Sequence, residues 1–308
     1  MAEPSAFEPE GGWGSTPEEV VHRWGELGTE LDVPGARTRV WRSGHGEPVV
    51  LLHGVPASAF LYRKVIPRLA RHGLEAVAFD FPGLGLAERP VALDLSWTPL
   101  ARWTLAALDA LGLDRFHLVV HDIGGPIGFE VIRRAPGRIR SLVVLNTLVR
   151  VASFRKPWVM RPFEVPVLGE LYLRTINPWT MERLMRLQGV LSPVPAPELR
   201  AYALLLKRED GGAAFLRMMR SFETTRDMED RVLRTLRERR FPARVLWGAR
   251  DPALGIRHHG ELAREAVGVA RVEPLPGKHF VQEDAPEQIA GAVADLSREA
   301  TAHPRGGS

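Results

Sequence analysis

The sequence has 308 residues, of which 45% are hydrophobic and 25% charged, a balance typical of a globular protein with a large buried core. This length suits one large domain with an insertion, or two domains. It contains no cysteine, which excludes disulfides, thiol catalysis and cysteine-ligated metal and favours the cytoplasmic location that we expect. The net charge of +4 arises from arginines spread among acidic residues, so we predict no nucleic-acid partner. There is no apolar run of about 18 residues, so we predict no membrane span.

The two ends of the chain carry weak structural signals. Residues 1–28 are rich in glycine, proline and acidic side chains and lack the basic start and apolar stretch of a signal peptide. We expect a loosely ordered N-terminal segment there, with one short helix at 17–27. The tail at 301–308 is predicted to be frayed.

Short apolar runs alternate with helical patterns through most of the remaining chain. After a predicted antiparallel hairpin at 30–44, the predicted strands are 48–54, 75–80, 116–122, 141–147, 243–248 and 271–277. The predicted helices are 60–73, 99–112, 127–137, 259–268 and 286–300. Strands that are apolar throughout are typical of a parallel sheet buried on both faces. The alternation therefore predicts an α/β fold with a mostly parallel, doubly wound sheet, formed by 29–147 and 239–300.

The alternation is interrupted between residues 148 and 238. This stretch is rich in arginine and methionine, has helical periodicity and carries prolines at its joints. We interpret it as an α-helical cap inserted after the sixth strand. Such a cap would lie over the carboxyl edge of the sheet, where ligands bind in open α/β sheets.

The strongest chemical signal is the segment VVHDIGGPIG at 119–128. Asp122 ends a strand, Gly124 and Gly125 follow, and a helix begins near Pro126, which is typical of a nucleophile elbow. The tight turn leaves no room for side chains at the two glycines and lifts the side chain of Asp122 clear of the sheet, so the predicted nucleophile is a carboxylate. A phosphate-binding loop is disfavoured because the glycines do not fit G-x-G-x-x-G. An aspartate that only caps the helix is the open alternative.

Two further segments offer partners for this aspartate. His279, in PGKHFVQEDAP, lies after the last predicted strand, and Asp251, in WGARDPALG, follows the strand before it. The chain order of nucleophile, acid and histidine is that of the α/β-hydrolases. We predict that His279 is the general base and that Asp251 fixes its tautomer, with a simple helix cap as the alternative role for Asp251.

The segment HGVPAS at 53–58 turns away from the end of a predicted strand. This turn can aim the backbone N–H of Val55 at the elbow. Together with the N–H of Ile123, it predicts an oxyanion hole with two donors. Taken alone, an HG pair fits an ordinary turn equally well.

Five segments together resemble the haloalkane dehalogenases and the neighbouring epoxide hydrolases of the α/β-hydrolase fold superfamily. They are HGVPASAFLYRKVIP, DFPGLGLAERP, VVHDIGG, WGARDPAL and GKHFVQEDAP. The resemblance covers about residues 30–298 and implies an α/β-hydrolase fold with a helical cap, a small apolar substrate, water as the second reactant and no metal or organic cofactor. It also implies two steps: Asp122 displaces a halide or opens an epoxide, and His279 then activates water against the resulting ester.

The sequence departs from the family pattern where the leaving group is bound. Dehalogenases usually carry a tryptophan directly after the nucleophile, but here that residue is Ile123, which leaves Trp158 and Trp179 of the predicted cap as candidate halide donors. Epoxide hydrolases usually use two cap tyrosines, and the cap offers Tyr172 and Tyr202, outside the expected second motif. Ordinary packing is the role that we favour for all four side chains, with leaving-group binding as the sharper hypothesis.

The sequence therefore predicts a hydrolase similar to the haloalkane dehalogenases, with an epoxide hydrolase that yields vicinal diols as the alternative. A non-catalytic ligand receptor on the same scaffold is a third hypothesis, disfavoured by the intact set of Asp122, Asp251 and His279. A serine esterase is disfavoured because no serine occupies an elbow.

Overall fold

The protein is built around one eight-stranded sheet. The structure is a computed structural model that describes residues 6–9 and 11–302. The strands are β1 (Thr29–Leu31), β2 (Thr38–Ser43), β3 (Glu47–Leu52), β4 (Leu74–Phe79), β5 (Phe116–Asp122), β6 (Ile139–Thr147), β7 (Ala243–Gly248) and β8 (Glu273–Leu275). Their order across the sheet is β1-β2-β4-β3-β5-β6-β7-β8. β2 pairs antiparallel with β1 and β4, and all other neighbours run parallel. The predicted mostly parallel sheet is confirmed.

The central strands are apolar because helices cover both faces of the sheet. β5 and β6 are buried along almost their whole length, as the continuous apolar runs predicted. The last strand, β8, is only three residues long and shorter than the predicted run at 271–277.

Twelve α-helices accompany this sheet within the described residues, and two groups of them flank it. They are α1 (Pro17–Glu26), α2 (Val65–Arg71), α3 (Trp97–Ala110), α4 (Gly124–Arg134), α5 (Leu168–Thr175), α6 (Pro178–Leu184), α7 (Ala196–Lys207), α8 (Ala213–Arg220), α9 (Arg226–Glu238), α10 (Glu261–Val267), α11 (Val281–Asp284) and α12 (Pro286–Ala302). α2 packs against α12, whereas α3, α4, α9 and α10 form a row in which each helix contacts the next. None of the helices within the described residues is long and apolar enough to cross a membrane.

The insertion between β6 and β7 is helical, but its last helix belongs to the flank of the sheet. α6 packs against α7 and α5 against α8, whereas α9 packs against α4 and α10. Buried Met228, Val232 and Leu236 lie at helical spacing on the inner face of α9. The predicted cap boundary at 238 therefore lies too far along the chain, and we call residues 148–225 the covering segment.

The N-terminal region is packed, which corrects the expectation of a loose segment at 1–28. α1 forms where the short helix was expected and contacts α7. The Trp24 ring is buried and stacks on Trp41 at a centroid distance of 4.3 Å, and Trp13 meets its edge. These large aromatic surfaces outweigh the entropy of ordering a polar segment. Residues 1–5 and 10, and 303–308 of the predicted frayed tail, lie outside the described residues.

Candidate active site

Asp122 stands at the corner between β5 and α4. Its φ of +51° is unusual for a residue other than glycine and is typical of a tight functional turn. A Cβ at Gly124 would strike the backbone of Leu52, and one at Gly125 would strike the Thr147 hydroxyl, so both positions require glycine. The Thr147 hydroxyl in turn donates to the carbonyl of Asp122. The strand, turn and helix of the predicted elbow are therefore present.

The two oxygens of the Asp122 carboxylate face different partners. The backbone N–H of Val55, next to the cis peptide bond of Val55–Pro56, donates to Oδ1 at 2.8 Å. The Nε2 atom of His279 lies 3.7 Å from Oδ2, at ion-pair distance. Burial would raise the pKa of Asp122, but the neighbouring imidazole and the Val55 N–H hold that pKa below its ordinary value. The carboxylate is thus charged, with Oδ1 held by the backbone and Oδ2 next to the imidazole.

His279 is joined to Asp251 by a direct hydrogen bond. Its Nδ1–H donates to Oδ2 of Asp251 at 2.8 Å. The other oxygen of Asp251 accepts the backbone N–H groups of Ala253 and Leu254, at 2.7 and 2.9 Å. Burial would raise the pKa of Asp251, but the charge of His279 lowers it. The structure thus brings together the three residues that the sequence predicted as a triad.

Asn146 also holds Asp251, a contact that sequence reasoning missed. Its side-chain amide donates to Oδ2 of Asp251 at 2.7 Å and accepts the N–H of Gly248 at 2.9 Å. Asn146 has a φ of +25°, so it sits in strained backbone at the end of β6. A polar residue that ends an otherwise apolar strand was the available signal.

His121 forms a hydrogen bond to the backbone of His279. Its Nε2–H donates to the carbonyl of His279 at 2.9 Å, and the two rings lie 4.9 Å apart. Burial and the nearby His279 lower the pKa of His121 to about 4, so it is neutral. His121 therefore positions the backbone of His279, a role the sequence did not reveal.

The charge on His279 depends on its two carboxylate neighbours. Burial alone would lower the pKa of the imidazole, but the charges of Asp251 and Asp122 outweigh it and raise the pKa to about 10. His279 is therefore protonated at neutral pH as long as Asp122 is a free carboxylate.

This charge makes stability depend on pH. The pKa of His279 rises from 6.5 when unfolded to about 10 when folded, so its stabilisation is complete below pH 6.5 and is lost as the pH rises towards 10. Asp122 and Asp251 stay charged over this window, because their pKa values are lowered. We expect the free energy of unfolding to fall by on the order of 2–4 kcal/mol across it. Urea unfolding at several pH values measures the slope, which should be nearly absent in His279→Gln. Equal slopes in both proteins would contradict the charge assignment.

A cavity of about 90 Å³ opens in front of Asp122. Its lining comes from the core loops and from the covering segment and is mostly methionine, phenylalanine and aliphatic side chains. Four lining residues are polar or charged: Asp122, His279, Lys156 and Gln188. An apolar cavity with few polar groups is typical of a site for a small molecule.

The predicted tryptophans do not line this cavity as the described residues form it. Trp158 is 72% exposed and Trp179 is 67% exposed. The Trp179 ring is covered by the guanidinium of Arg200, 3.4 Å from its centroid. Both side chains face outwards, so the prediction that they bind a leaving halide is wrong.

The predicted tyrosines are equally absent from the described lining. The Tyr202 hydroxyl is buried and donates to Oε1 of Glu283 at 2.6 Å. The Tyr172 ring packs against Phe163 with centroids 5.0 Å apart. These contacts speak against the candidate role of the two phenols as proton donors and leave the packing role that the sequence favoured. The sequence analysis did not identify Lys156 and Gln188, the polar residues that line this part of the cavity among apolar side chains.

One of the two predicted oxyanion-hole donors, the N–H of Val55, makes a hydrogen bond at the site. The N–H of Val55 makes the bond to Asp122 described above, and Ile123 caps the start of α4, where backbone N–H groups point outwards.

Over residues 6–9 and 11–302, no group of three or more histidine, aspartate or glutamate side chains is arranged to hold a metal ion.

Comparisons with known proteins agree with this fold. A family model described as alpha/beta hydrolase fold matches residues 47–286. The chain is 29% identical over 263 residues to haloalkane dehalogenase 2 of Mycobacterium tuberculosis, which covers 82% of this chain and 88% of that protein. It is also 29% identical over 259 residues to a haloalkane dehalogenase of Psychrobacter cryohalolentis, with 79% and 81% covered.

Solved structures of two kinds of enzyme resemble it. The haloalkane dehalogenase DbeA from Bradyrhizobium elkani superposes with a TM-score of 0.74 at 22% identity, over 89% of this chain and 98% of that one. The epoxide hydrolase CorEH superposes with a TM-score of 0.71 at 20% identity, over 88% and 98%. At these identities the likeness shows the fold alone.

Proposed function

This chain belongs to the alpha/beta hydrolase fold family, and from that premise we propose that it is a hydrolase in which Asp122 attacks a small halogenated alkane and forms an alkyl ester. One observation carries the proposal. The Asp122 carboxylate faces an apolar cavity, with Oδ1 bonded to the Val55 N–H and Oδ2 directed towards His279.

In the first step, Oδ2 of Asp122 bonds to the carbon that carries the halogen. The carbon–halogen bond breaks, and its electron pair leaves with the halide. The hydrogen bond to Oδ1 holds the carboxylate in one orientation, and the apolar walls remove water from the attacking oxygen, which strengthens it as a nucleophile. The product of this step is a neutral ester of Asp122.

Esterification then changes the protonation of His279. Its raised pKa depends in part on the charge of Asp122, and the ester no longer carries that charge. The imidazole can therefore lose its proton and become a base once the ester has formed. Asp251 retains its hydrogen bond to Nδ1, which leaves Nε2 to accept a proton.

In the second step, Nε2 of His279 takes a proton from water, and the oxygen of that water bonds to Cγ of the Asp122 ester. The negative charge on Oδ1 is stabilised by the N–H of Val55 and, in this proposal, by that of Ile123. As the intermediate collapses, the proton on Nε2 of His279 passes to the leaving alkoxide oxygen, which releases the alcohol. The new carboxylic acid of Asp122 then gives its proton to His279, which restores the carboxylate. The sum is one haloalkane and one water converted to one alcohol, one halide and one proton.

A variant that blocks only the second step tests this proposal. His279→Gln should still form the ester but should not hydrolyse it, because no base remains near the carbonyl. After incubation with 1-bromobutane, intact-mass spectrometry should find the protein heavier by one butyl group, and peptide mapping should find that group on Asp122. Wild-type enzyme should release bromide continuously instead.

The matched control is the double variant His279→Gln with Asp122→Asn, which should gain no mass. If it gains the butyl group, or if the group maps to another residue, then Asp122 is not the nucleophile.

A second candidate function is epoxide opening, which one observation favours. Lys156 lines the cavity, and its ammonium carries a proton that could pass to the oxygen of an opening epoxide. With styrene oxide, the same His279→Gln variant would gain the mass of the whole epoxide, whereas 1-bromobutane adds the alkyl group alone. A panel of bromoalkanes and epoxides measured side by side therefore separates the two functions.

A further inference from the structure

Lys156 is a buried cation beside the cavity. It is only 9% exposed, and its ammonium donates to Glu164 at 2.7 Å. The same ammonium lies 4.3 Å from the centroid of the Phe222 ring. Lys156 and Phe222 both line the cavity in front of Asp122, so this pair of a cation and an aromatic ring borders that cavity.

Gln188 is a second side-chain donor in the lining. Its side-chain amide makes no hydrogen bond to any group in residues 6–9 and 11–302, although buried or half-buried amides are usually paired. It lies in the π-helical turn Met185–Gly189, whose last carbonyl accepts the N–H of Phe280, the neighbour of His279. Irregular turns of this type are frequent at functional sites.

We propose that Lys156, with Gln188 as a second donor, binds the halide that leaves the substrate carbon. Apart from His279, these are the side chains with N–H donors in the lining formed by the described residues. The inference rests on the proposed function, because it needs a halide to be displaced by Asp122.

The environment of Lys156 suits this role. An apolar cavity has a low effective dielectric constant, so a fixed ammonium interacts with a developing anion much more strongly than it would in water. The Glu164 carboxylate is half exposed and pairs with the ammonium from the surface side, and Glu164 is not among the described residues that line the cavity. No proton is transferred: the halide leaves with the bonding electron pair and is held as an ion.

The test measures the two chemical steps separately in single turnovers. Lys156→Met keeps the length of the side chain and removes its charge. We expect ester formation from 1-chlorobutane to slow by about 10²–10³-fold, and from 1-bromobutane by less, because bromide needs less stabilisation as it leaves. Hydrolysis of the ester should change by no more than about threefold, since the halide has already left. Gln188→Leu should slow the first step about tenfold.

Two variants separate anion binding from proton donation and from structural support. Lys156→Arg keeps a positive charge but cannot give up a proton, so it should retain turnover of bromobutane within about tenfold. Glu164→Gln removes the ion pair and keeps the ammonium, so its first step should stay within about threefold of wild type. A purely structural lysine would make Lys156→Met and Glu164→Gln lose stability and both chemical steps together.

The outcomes distinguish this inference from the proposed function. If His279→Gln forms no ester on Asp122, the proposed function fails. If the ester forms, but Lys156→Met forms it at the wild-type rate with both halides, then the assignment of Lys156 alone is overturned. Loss of bromobutane turnover in Lys156→Arg, with wild-type-like folding, would also overturn halide binding and would favour proton donation to an epoxide.

Discussion

Replacement of Asp122 by asparagine is expected to lower kcat by at least about 10³-fold while the protein stays folded. Asparagine has nearly the same shape, and its carbonyl oxygen can still accept the Val55 N–H that now bonds to Oδ1 at 2.8 Å. Its neutral amide, however, is a very weak nucleophile towards an sp³ carbon. Initial rates of bromide release from 1-bromobutane measure the loss, and urea unfolding shows whether the fold is retained.

The control for this prediction lies at the other end of the same strand. Asp114 is exposed just before β5, so Asp114→Asn should leave kcat within about twofold of wild type. If Asp122→Asn kept more than about a tenth of the wild-type kcat, with the substitution verified by mass, the carboxylate could not be the nucleophile.

The second large effect is expected at Arg63, a fully buried guanidinium. Arg63 forms ion pairs with Glu198 of α7 and Glu283 of α11 and also donates to the carbonyl of Phe60. Burial would raise the pKa of Glu283, but Arg63 and Lys64 lower it to about 2, so that carboxylate is charged. Arg63→Met should reduce the free energy of unfolding by about 3–5 kcal/mol, because it leaves buried carboxylates without their main partner.

A surface arginine from the end of α2 provides the comparison. Arg71 also contacts two carboxylates, those of Glu8 and Glu287, but these side chains are substantially exposed to solvent. Arg71→Met should change the free energy of unfolding by less than about 1 kcal/mol. Urea unfolding of both variants at neutral pH measures the difference. Similar losses in both would mean that burial of the Arg63 cluster, formed by Arg63, Glu198 and Glu283, does not decide its contribution to stability.

The Arg63 cluster also explains why Tyr202 is unavailable to a substrate. Its hydroxyl donates a hydrogen bond to Glu283, which lies four residues after His279. The cluster therefore connects α7 of the covering segment with α11, the helix that follows His279. From the sequence, Tyr202 was simply a phenol in a helical segment, and nothing near it along the chain indicated a buried carboxylate partner.

The covering segment shows why its side chains were hard to predict. Trp158 and Trp179 were chosen because an indole N–H is a suitable halide donor, yet both are exposed on the outer surface. In a short helix, the face turned inwards depends on what the helix packs against, and those partners come from distant parts of the chain. Packing against distant segments also decides that Lys156 and Gln188 line the cavity, and no sequence motif around them indicates that role.

The amino-acid sequence by itself determined the parallel sheet, the order of its strands along the chain and the grouping of Asp122, Asp251 and His279 at one edge. These features follow from local signals: apolar runs fix buried strands, and the carboxyl ends of parallel strands meet at a common edge. The tertiary structure alone decided that α9 joins the flank, that the N-terminal tryptophans are buried and which polar groups reach the cavity. These depend on contacts between segments far apart in the chain, whose geometry no short stretch of sequence contains.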